Sequence, residues 1–366
     1  MSRNPARIAV ALSGGIDSLT AAFLLLRQGR EVIGLHFRTG HEAYPAEQSR
    51  ERAARLSRML DVPVHFEDLS GDFERIVVDY FIAGYRAGET PNPCVVCNPR
   101  IKFGVLLERA RRHGAELLAT GHYAAVRRDS SGRWRLFKGR DPAKDQSYFL
   151  FALGQEQLAR ACFPLAEMTK GEVSLLAARY GLEPVEPRES QDVCFVPGGD
   201  YTALLRRYDE AILRPGPIAT ADGRVIGEHP GLAAFTIGQR RGIDCPAAFP
   251  YYVLRKERDR NRLIVGPRSD LYATGCRVSA VNWIAPRPEA PLAARVRVRY
   301  RSPESPARIL SCGTDPASVE VVFDTPQPAI APGQAAVFYR EDEVLGGGFI
   351  QAAPQDRRIE SRLRPR

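Results

Sequence analysis

The sequence lacks any apolar run near the roughly 18 residues that a membrane-spanning helix needs. Its first residues, Met1 to Arg7, lead directly into an apolar segment. They contain neither the apolar stretch nor the small-residue cleavage site of a secretory signal. We therefore expect a cytoplasmic protein with no membrane partner.

Cysteine is sparse, with seven residues in a chain of 366. An odd, unevenly spaced set in a chain without an export signal argues against a disulfide framework and leaves catalytic, metal-binding or buried thiols. Two thiols, Cys97 and Cys194, lie in segments rich in Pro/Asn or Gln/Asp, where chemistry is more plausible than packing. Those expected to be inert lie among apolar or turn residues: Cys162, Cys245, Cys276 and Cys312.

An excess of negative charge is also absent, since 52 Lys and Arg residues outnumber 43 Asp and Glu residues and give a formal net charge of +9. This balance fits a nucleic-acid partner but is shared by many other enzymes. With 44% hydrophobic and 26% charged residues, the composition is globular, and the length predicts two or three domains.

In the first half of the chain, short apolar runs alternate with longer helical patterns. The strands predicted are Arg7 to Leu12, Glu31 to Phe37, Val62 to Phe66 and Glu116 to Thr120. The helices predicted are Leu19 to Arg27, Pro45 to Leu60, Phe73 to Tyr85 and Ile101 to Arg112. Such alternation predicts an α/β fold with a parallel sheet, whose site lies beyond the carboxyl ends of the strands.

The pattern changes after about residue 205, where short strands are separated by Gly/Pro turns. Period-two alternation in Arg295 to Tyr300 and Ala335 to Tyr339 suggests a small antiparallel barrel or sandwich. We predict a catalytic domain over residues 1–204, a small β-rich domain over 205–271 and a C-terminal β-barrel over 272–366.

The segment Ser13-Gly14-Gly15-Ile16-Asp17-Ser18 follows the first strand and opens a helix. Paired glycines allow a tight turn whose amides point at phosphate oxygens near the positive end of the helix. The Gly-Lys-Ser/Thr ending of the common phosphate loop is absent. The loop instead resembles the pyrophosphatase loop of enzymes that split ATP into AMP and pyrophosphate, which implies that Ser13, Gly15, Asp17 and Ser18 hold pyrophosphate together with Mg²⁺.

Cys97 precedes Asn98, which can cap a helix, and Pro99, which suits a first helical turn. Cys97 would then lie at the positive end of that helix. We expect its pKa to be lowered, as in reactive thiols.

Many separate motifs, in order along almost the whole chain, resemble the bacterial tRNA-specific 2-thiouridylase family. They are Ala11 to Ser18, Thr90 to Asn98, Ile101 to Gly104, Ala119 to Tyr123, Lys144 to Phe149, Ser190 to Phe195, Phe235 to Arg240 and Gly346 to Ile350. The resemblance implies a PP-loop domain of the adenine nucleotide alpha hydrolase type. It also implies that ATP adenylates O2 of the wobble uridine in tRNAs for Lys, Glu and Gln.

In the implied reaction Cys194 carries a persulfide and Cys97 is the second thiol, which resolves it through a disulfide. The sulfur comes from a persulfide-carrying relay protein or a cysteine desulfurase. ATP contacts are implied at Ala11, Leu12, Ser13, Gly14, Gly15, Ile16, Asp17, Ser18, Phe37 and Gly121. Contacts with tRNA are implied at Asn92, Pro93, Cys94, His122, Lys144, Asp145, Gln146, Arg299, Tyr300 and Gln334.

One departure from the family pattern concerns Cys94, where the family usually has Asp. Cys94, Cys97 and Cys194 could together hold a four-iron four-sulfur cluster or part of a zinc site, as in cluster-dependent tRNA thiolases with the same ATP fold. Cluster chemistry, persulfide chemistry and a passive replacement at Cys94 remain alternatives. A second departure, the short segment Arg38 to Glu47, has no functional explanation in the sequence.

Two other classes of protein compete with this interpretation. A small-molecule ATP pyrophosphatase, such as an amidating ligase, shares the loop but leaves the barrel and the paired cysteines unexplained. A non-enzymatic tRNA-binding or cluster-carrier protein leaves the intact ATP loop unexplained. Pyrophosphate release that depends on tRNA would exclude both.

Overall fold

The computed structural model describes residues 7–185, 193–246, 249–289, 291–312 and 315–352. The part of a family motif formed by Ser190, Gln191 and Asp192 lies outside these residues. Within the described ranges, no helix is both long enough and apolar enough to cross a membrane.

The first region is α/β, as the sequence predicted. Its strands are β1 (Ile8–Ala11), β2 (Val32–Arg38), β3 (Val64–Asp68), β4 (Leu117–Ala119), β5 (Ala124–Arg128), β6 (Trp134–Lys138) and β7 (Ala161–Cys162). The helices up to the central region are α1 (Ile16–Arg27), α2 (Ala46–Leu60), α3 (Ser70–Phe73), α4 (Asp79–Arg86), α5 (Cys94–Cys97), α6 (Leu107–Arg112), α7 (Gln155–Leu158), α8 (Lys170–Arg179) and α9 (Tyr201–Tyr208).

Five strands form a parallel sheet in the order β3-β2-β1-β4-β7. Strand β1 is buried along its whole length, and its residues alternate between two cores. Ile8 and Val10 pack with Leu19 of α1, whereas Ala9 and Ala11 pack with the helices on the other face. Burial on both faces explains why this strand is a continuous apolar run rather than an alternating one.

The helix of the cysteine segment is continuous from Cys94 to Arg112 but changes its winding. Between α5 and α6 lies a π-helical segment, Asn98–Leu106. Pro99 lies inside this helix, where it lacks the N–H group and its ring would clash with the carbonyl of an α-helical turn. Wider winding around a proline relieves that clash, and π-helical turns occur often at functional sites.

The central region contains four strands: β8 (Gly216–Thr220), β9 (Val225–His229), β10 (Tyr252–Glu257) and β11 (Arg262–Gly266). They form a sheet in the order β10-β11-β8-β9, in which only the β11–β8 pair is parallel. Ile218, Phe235, Val253 and Leu263 form its small core. The predicted β-rich middle region is therefore present.

The C-terminal region is a closed barrel of six strands: β12 (Tyr272–Trp283), β13 (Leu292–Arg297), β14 (Ser305–Ser311), β15 (Val319–Pro328), β16 (Ala335–Arg340) and β17 (Glu343–Ile350). The long strand β12 pairs with both β15 and β17 and so closes the barrel. This confirms the predicted antiparallel barrel.

The hairpin β5–β6 joins the first region to the barrel. Strand β6 pairs with β17, with Phe137 opposite Glu343 and Leu136 opposite Val344. The first region and the barrel therefore share one eight-stranded sheet. The sequence analysis did not predict this hairpin, and the shared sheet contains strands from both sides of residue 204.

Candidate functional site

The phosphate loop connects β1 to α1 at the carboxyl end of the parallel sheet. Gly14 has a φ of +86°, a conformation that side chains rarely adopt. The Ser13 and Ser18 hydroxyls lie 3.2 Å apart, and the Ser18 hydroxyl donates to the Gly15 carbonyl at 2.9 Å. Helix α1 begins at Ile16 without a side-chain cap, so its first amides remain available for phosphate oxygens.

Asp17, in the first turn of α1, is held by two residues that the sequence did not reveal. The Tyr123 hydroxyl donates to its carboxylate at 2.8 Å. Lys170, the first residue of α8, donates to both carboxylate oxygens at 2.8 and 2.9 Å. A local signal for α8 does exist in the chain, because Thr169 and Glu172 form a capping box, but only the fold brings Lys170 to the loop.

Gly121 follows β4 and packs directly against the loop. A Cβ atom at this position would lie 2.8 Å from the Asp17 carbonyl carbon and 2.9 Å from the Ser18 nitrogen. Phe37 lies at the end of the neighbouring strand β2 and is half-buried. The predicted ATP residues thus lie at the carboxyl ends of three adjacent strands, where sites of this fold class are expected.

The helix of the cysteine segment begins earlier than the sequence predicted. Its first residue is Cys94, and the Cys97 amide donates to the Pro93 carbonyl at 2.9 Å. Asn92 accepts a hydrogen bond from the Cys94 amide at 3.2 Å. Asn98 does not cap the helix, because it is helical itself and its side chain donates to the Phe149 carbonyl at 3.0 Å.

The expectation of a lowered pKa for Cys97 is also wrong in this structure. Burial raises the pKa of Cys97 to about 11, and this effect outweighs the opposing charge of Lys102. Burial likewise raises the pKa of Cys94. Cys194 is exposed as a residue, yet the protein atoms around its sulfur raise the thiol pKa to about 12. Burial therefore disfavours the thiolate form of all three cysteines.

The three thiols nevertheless belong to one electrostatic neighbourhood. Cys97 and Cys94 both raise the pKa of Cys194, and Lys102 lowers the pKa of all three. Phe195 anchors the Cys194 residue, because its buried ring packs against Phe73 and Phe81 at centroid distances of 5.4 and 5.2 Å. All three cysteines are free thiols.

The described residues contain no preformed metal site. Among the described residues, no group of three or more His, Cys, Asp and Glu side chains is arranged to hold a metal ion. Cys94, Cys97 and Cys194 are therefore not preorganised as cluster ligands, and a cluster on them stays an alternative.

A short chain of contacts connects the two halves of the site. His122, next to Gly121, is buried, and its Nδ1 lies 2.6 Å from the Thr120 hydroxyl. Its Nε2 lies 3.4 Å from the Lys102 ammonium group. Burial lowers the pKa of His122 well below its usual value, so the ring is neutral. These contacts run from the phosphate loop through Gly121 and His122 to Lys102, whose charge lowers the pKa of the thiols.

Both C-terminal regions hold the segment that precedes Cys94. The Gln334 side chain donates to the Thr90 carbonyl at 2.7 Å, and the Thr90 amide donates to the Pro332 carbonyl at 2.9 Å. From the central region, Lys256 donates to the Glu89 carbonyl at 3.2 Å. The Thr90 hydroxyl donates to Thr236 at 3.3 Å.

The residues proposed to contact tRNA make contacts within the protein in this structure. Asp145 is buried and lies 3.4 Å from the Arg297 guanidinium. The Gln146 side chain accepts from the Tyr123 amide at 3.1 Å. Lys144 is partly exposed beside them. Contacts of these residues with RNA remain predictions.

Two further candidates lie where the barrel meets the other regions. Arg299 donates to the Ile237 carbonyl of the central region at 2.5 Å. Tyr300 packs its ring on Phe149 at a centroid distance of 4.4 Å. Both remain partly accessible. Their position at this junction is compatible with a role in tRNA binding, which stays a prediction.

The segment after β2, which had no explanation in the sequence, forms one wall of a pocket of about 590 Å³. Glu42 organises this wall by accepting hydrogen bonds from the Thr39 amide and hydroxyl at 2.7 and 2.8 Å. His41 lies 2.9 Å from Glu74, and Phe195 contributes the side nearest the thiols. The pocket therefore borders the Cys194 segment.

Comparison with known proteins assigns each region to a family. The profile of the tRNA methyl transferase HUP domain matches residues 6–198. The profile of the tRNA methyl transferase PRC-barrel domain matches residues 204–267, and that of the aminomethyltransferase beta-barrel domain matches residues 273–350. These matches agree with an α/β region followed by two β-rich ones.

Curated relatives match almost the whole chain. The tRNA-specific 2-thiouridylase MnmA of Desulfosudis oleivorans is 52% identical over 354 residues, which cover 96% of each protein. The protein of the same name from Geotalea uraniireducens is 44% identical and covers 95% of each. That from Magnetococcus marinus is 44% identical over 94% of this chain and 99% of its own. The chain therefore belongs to the tRNA-specific 2-thiouridylase family.

Proposed function

We propose that the protein is a tRNA-uridine 2-sulfurtransferase, which uses ATP to convert the wobble uridine of tRNAs of the Lys, Glu and Gln type into 2-thiouridine. The observation that carries this proposal is the continuity of the site. Gly121 contacts the phosphate loop, and His122, the next residue, lies 3.4 Å from Lys102 beside the thiols. Activation by ATP and sulfur chemistry can therefore act on the same uridine.

In the first step, O2 of the uridine attacks the α-phosphorus of ATP, and the bond to pyrophosphate breaks. The uridine loses its N3 proton and becomes an O2-adenylate. Ser13, Gly15, Asp17 and Ser18 would hold the departing pyrophosphate, and the Lys170 ammonium beside Asp17 adds positive charge there. Asp17 is the oxygen donor that Mg²⁺ would use, and that ion would neutralise phosphate charge when bound with ATP.

In the second step, the terminal sulfur of a persulfide on Cys194 attacks C2, and AMP leaves with the original O2. The Cys97 thiolate then attacks the Cys194 sulfur. The disulfide bond that forms joins Cys97 to Cys194, and the bond to the terminal sulfur breaks. That sulfur keeps its electron pair and remains on C2 as the thiocarbonyl. A thiol reductant must reduce the disulfide before the next turnover.

The sulfur donor in this proposal is a persulfide-carrying relay protein or a cysteine desulfurase. Cytoplasmic location and the tRNA subset remain predictions from the sequence. Burial raises the pKa of Cys97 and Cys194, so a thiolate at either sulfur needs stabilisation during the sulfur step.

The test uses the full-length protein with unmodified tRNA transcripts, ATP and a persulfide donor. We expect pyrophosphate release that depends on tRNA, and 2-thiouridine in the digested product by mass spectrometry. Cys97→Ser and Cys194→Ser should lose thiolation and keep tRNA-dependent pyrophosphate release. Nucleosides from a deletion strain should lack wobble 2-thiouridine.

Several outcomes would reject the proposal. Pyrophosphate release without tRNA would favour a small-molecule ATP pyrophosphatase, and no release at all would favour a binding protein. A methylated nucleoside in place of a thiolated one would instead match the name of the family profiles. Bound iron with charge-transfer absorbance after anaerobic purification would favour the cluster alternative if activity depends on that iron.

A further inference from the structure

We propose that Lys102 is the cation of the sulfur-transfer site, and that its ammonium group stabilises negative charge on the Cys97 and Cys194 sulfurs during transfer. The proposal rests on the proposed function, because it assigns a role within the sulfur step. Lys102 lies within a stretch that matches the family, but its sequence context suggested no task for it.

The winding of the helix brings Lys102 toward Cys97. The two residues are five positions apart, which is about 1.4 turns of an α-helix and would direct their side chains to different sides. The residues between them and Lys102 itself belong to the π-helical segment Asn98–Leu106, and π-helical pairing joins residues i and i+5. Residues five apart in such a segment lie close to one side of the helix.

Three features stabilise this π-helical register. Pro99 removes a helical donor, and Gly104 leaves room for the wide turn, because a Cβ atom there would lie 3.0 Å from the Pro99 carbonyl oxygen. The Gln157 side chain donates to the carbonyls of Pro99 and Phe103 at 2.6 and 3.0 Å. The register is thus held by the sequence of the helix and by a neighbouring element.

The charge of Lys102 is available to the thiols. Its ammonium group lies 3.4 Å from His122 Nε2, and that ring is buried and neutral. Within the described part of the chain, Lys102 forms no salt bridge with a carboxylate. The titratable groups it influences are Cys94, Cys97, Cys194 and His122.

A cation here matches the needs of the reaction. The persulfide attacks as an anion, Cys97 attacks as a thiolate, and the sulfur that leaves Cys194 carries an electron pair. Burial disfavours each of these anions, so a fixed positive charge lowers their cost where they form. Lys102 also contacts His122, the residue after Gly121, so the same charge lies between the thiols and the phosphate loop.

The test compares Lys102→Met, Lys102→Gln and Lys102→Arg with the control Arg100→Met. Arg100 lies in the same helix and is exposed. The first measurement is the alkylation rate of Cys97 and Cys194 by iodoacetamide across pH, resolved by peptide mass spectrometry on the full chain without tRNA. We expect Lys102→Met and Lys102→Gln to shift the alkylation profile to higher pH by about one unit. At a fixed pH the alkylation would then be roughly tenfold slower. Arg and the control should resemble the wild type.

The second measurement is single-turnover thiolation by protein preloaded with persulfide. Met and Gln should lower its rate about tenfold without changing the KM for ATP or tRNA, and Arg should restore most of it. Unchanged alkylation in both neutral variants would overturn the proposal. An Arg variant as impaired as Met would also overturn it, since packing rather than charge would then matter. Alkylation needs neither ATP nor tRNA, so this result stands even if the wild type forms no thiouridine.

Discussion

The phosphate loop and the cysteine segment are built in different ways, although we propose that they serve one site. Among the described residues, the loop is held by the first region, through Tyr123 and Lys170 at Asp17 and through the backbone of Gly121 and Val185. The cysteine segment is held from three sides, by Gln334 of the barrel, by Lys256 of the central region and by Phe149 of the first region.

This difference suggests how the two half-reactions are controlled. A loop held within the α/β region agrees with a loop sequence that is specific for chemistry and not for substrate. The cysteine segment depends on the β-rich regions that we expect to hold tRNA. We therefore expect correct placement of the sulfur chemistry to require the whole chain.

The largest effect is expected from Asp17→Asn in the phosphate loop. The substitution keeps an acceptor for the Tyr123 hydroxyl but removes the charge that pairs with Lys170 and that Mg²⁺ would need. We expect tRNA-dependent pyrophosphate release to fall on the order of a hundredfold or more. Affinity for tRNA, measured by filter binding, should be nearly unchanged. Near-normal pyrophosphate release would contradict the assignment of this loop.

Gly121→Ala tests the close packing behind the loop. Its Cβ would lie 2.8 Å from the Asp17 carbonyl carbon, so the loop must move. We expect the KM for ATP to rise about tenfold and stability to fall by about 1–3 kcal/mol in thermal denaturation. Gly71→Ala is the matched control, since a Cβ there meets no atom within 4 Å. Unaltered ATP kinetics would show that the loop adapts.

Lys256→Met tests the support of the cysteine segment from the central region. Burial lowers the pKa of Lys256 to about 8, whereas an unfolded lysine titrates near 10.5. Between these pH values the unfolded chain binds the extra proton, so this group makes the wild type more stable as pH rises. Below about pH 8 Lys256 is protonated in both the folded and the unfolded chain, so its contribution to stability no longer changes with pH.

The free energy of unfolding of the wild type minus that of Lys256→Met should therefore grow by as much as about 3 kcal/mol from pH 8 to 10.5. Urea titrations at several pH values measure this difference. Thiolation should fall severalfold at constant KM for ATP, because Lys256 also ties Glu89 to Phe235. A difference that is flat with pH would show that Lys256 stays charged in the folded protein.

Arg299→Ala should produce the smallest effect. If Arg299 contacts a phosphate of tRNA, its loss weakens binding severalfold and lowers the salt slope by about one. If it serves only to join the barrel to Ile237, affinity falls without a change in slope. Binding isotherms at several salt concentrations distinguish these outcomes, with the exposed neighbour Arg301→Ala as the control.

Local patterns predicted the parallel strands and the antiparallel barrel because apolar periodicity reports burial directly. They did not predict the hairpin β5–β6, whose pairing partner lies about 200 residues further along the chain. They also misplaced the start of the cysteine helix. Asn98-Pro99 is typical of a helix start, but the helix already begins at Cys94. The Asn98 side chain instead donates a hydrogen bond to the Phe149 carbonyl.

By itself, the sequence determined that this protein has an ATP pyrophosphatase loop, paired thiols and β-rich C-terminal regions. Each of these depends on residue type at short spacing. Only the tertiary structure decided that Lys170 reaches Asp17, that Lys102 reaches His122, and that burial raises the pKa of Cys97. Contacts between distant segments and the desolvation of a charge depend on what the folded chain brings together, which no local pattern specifies.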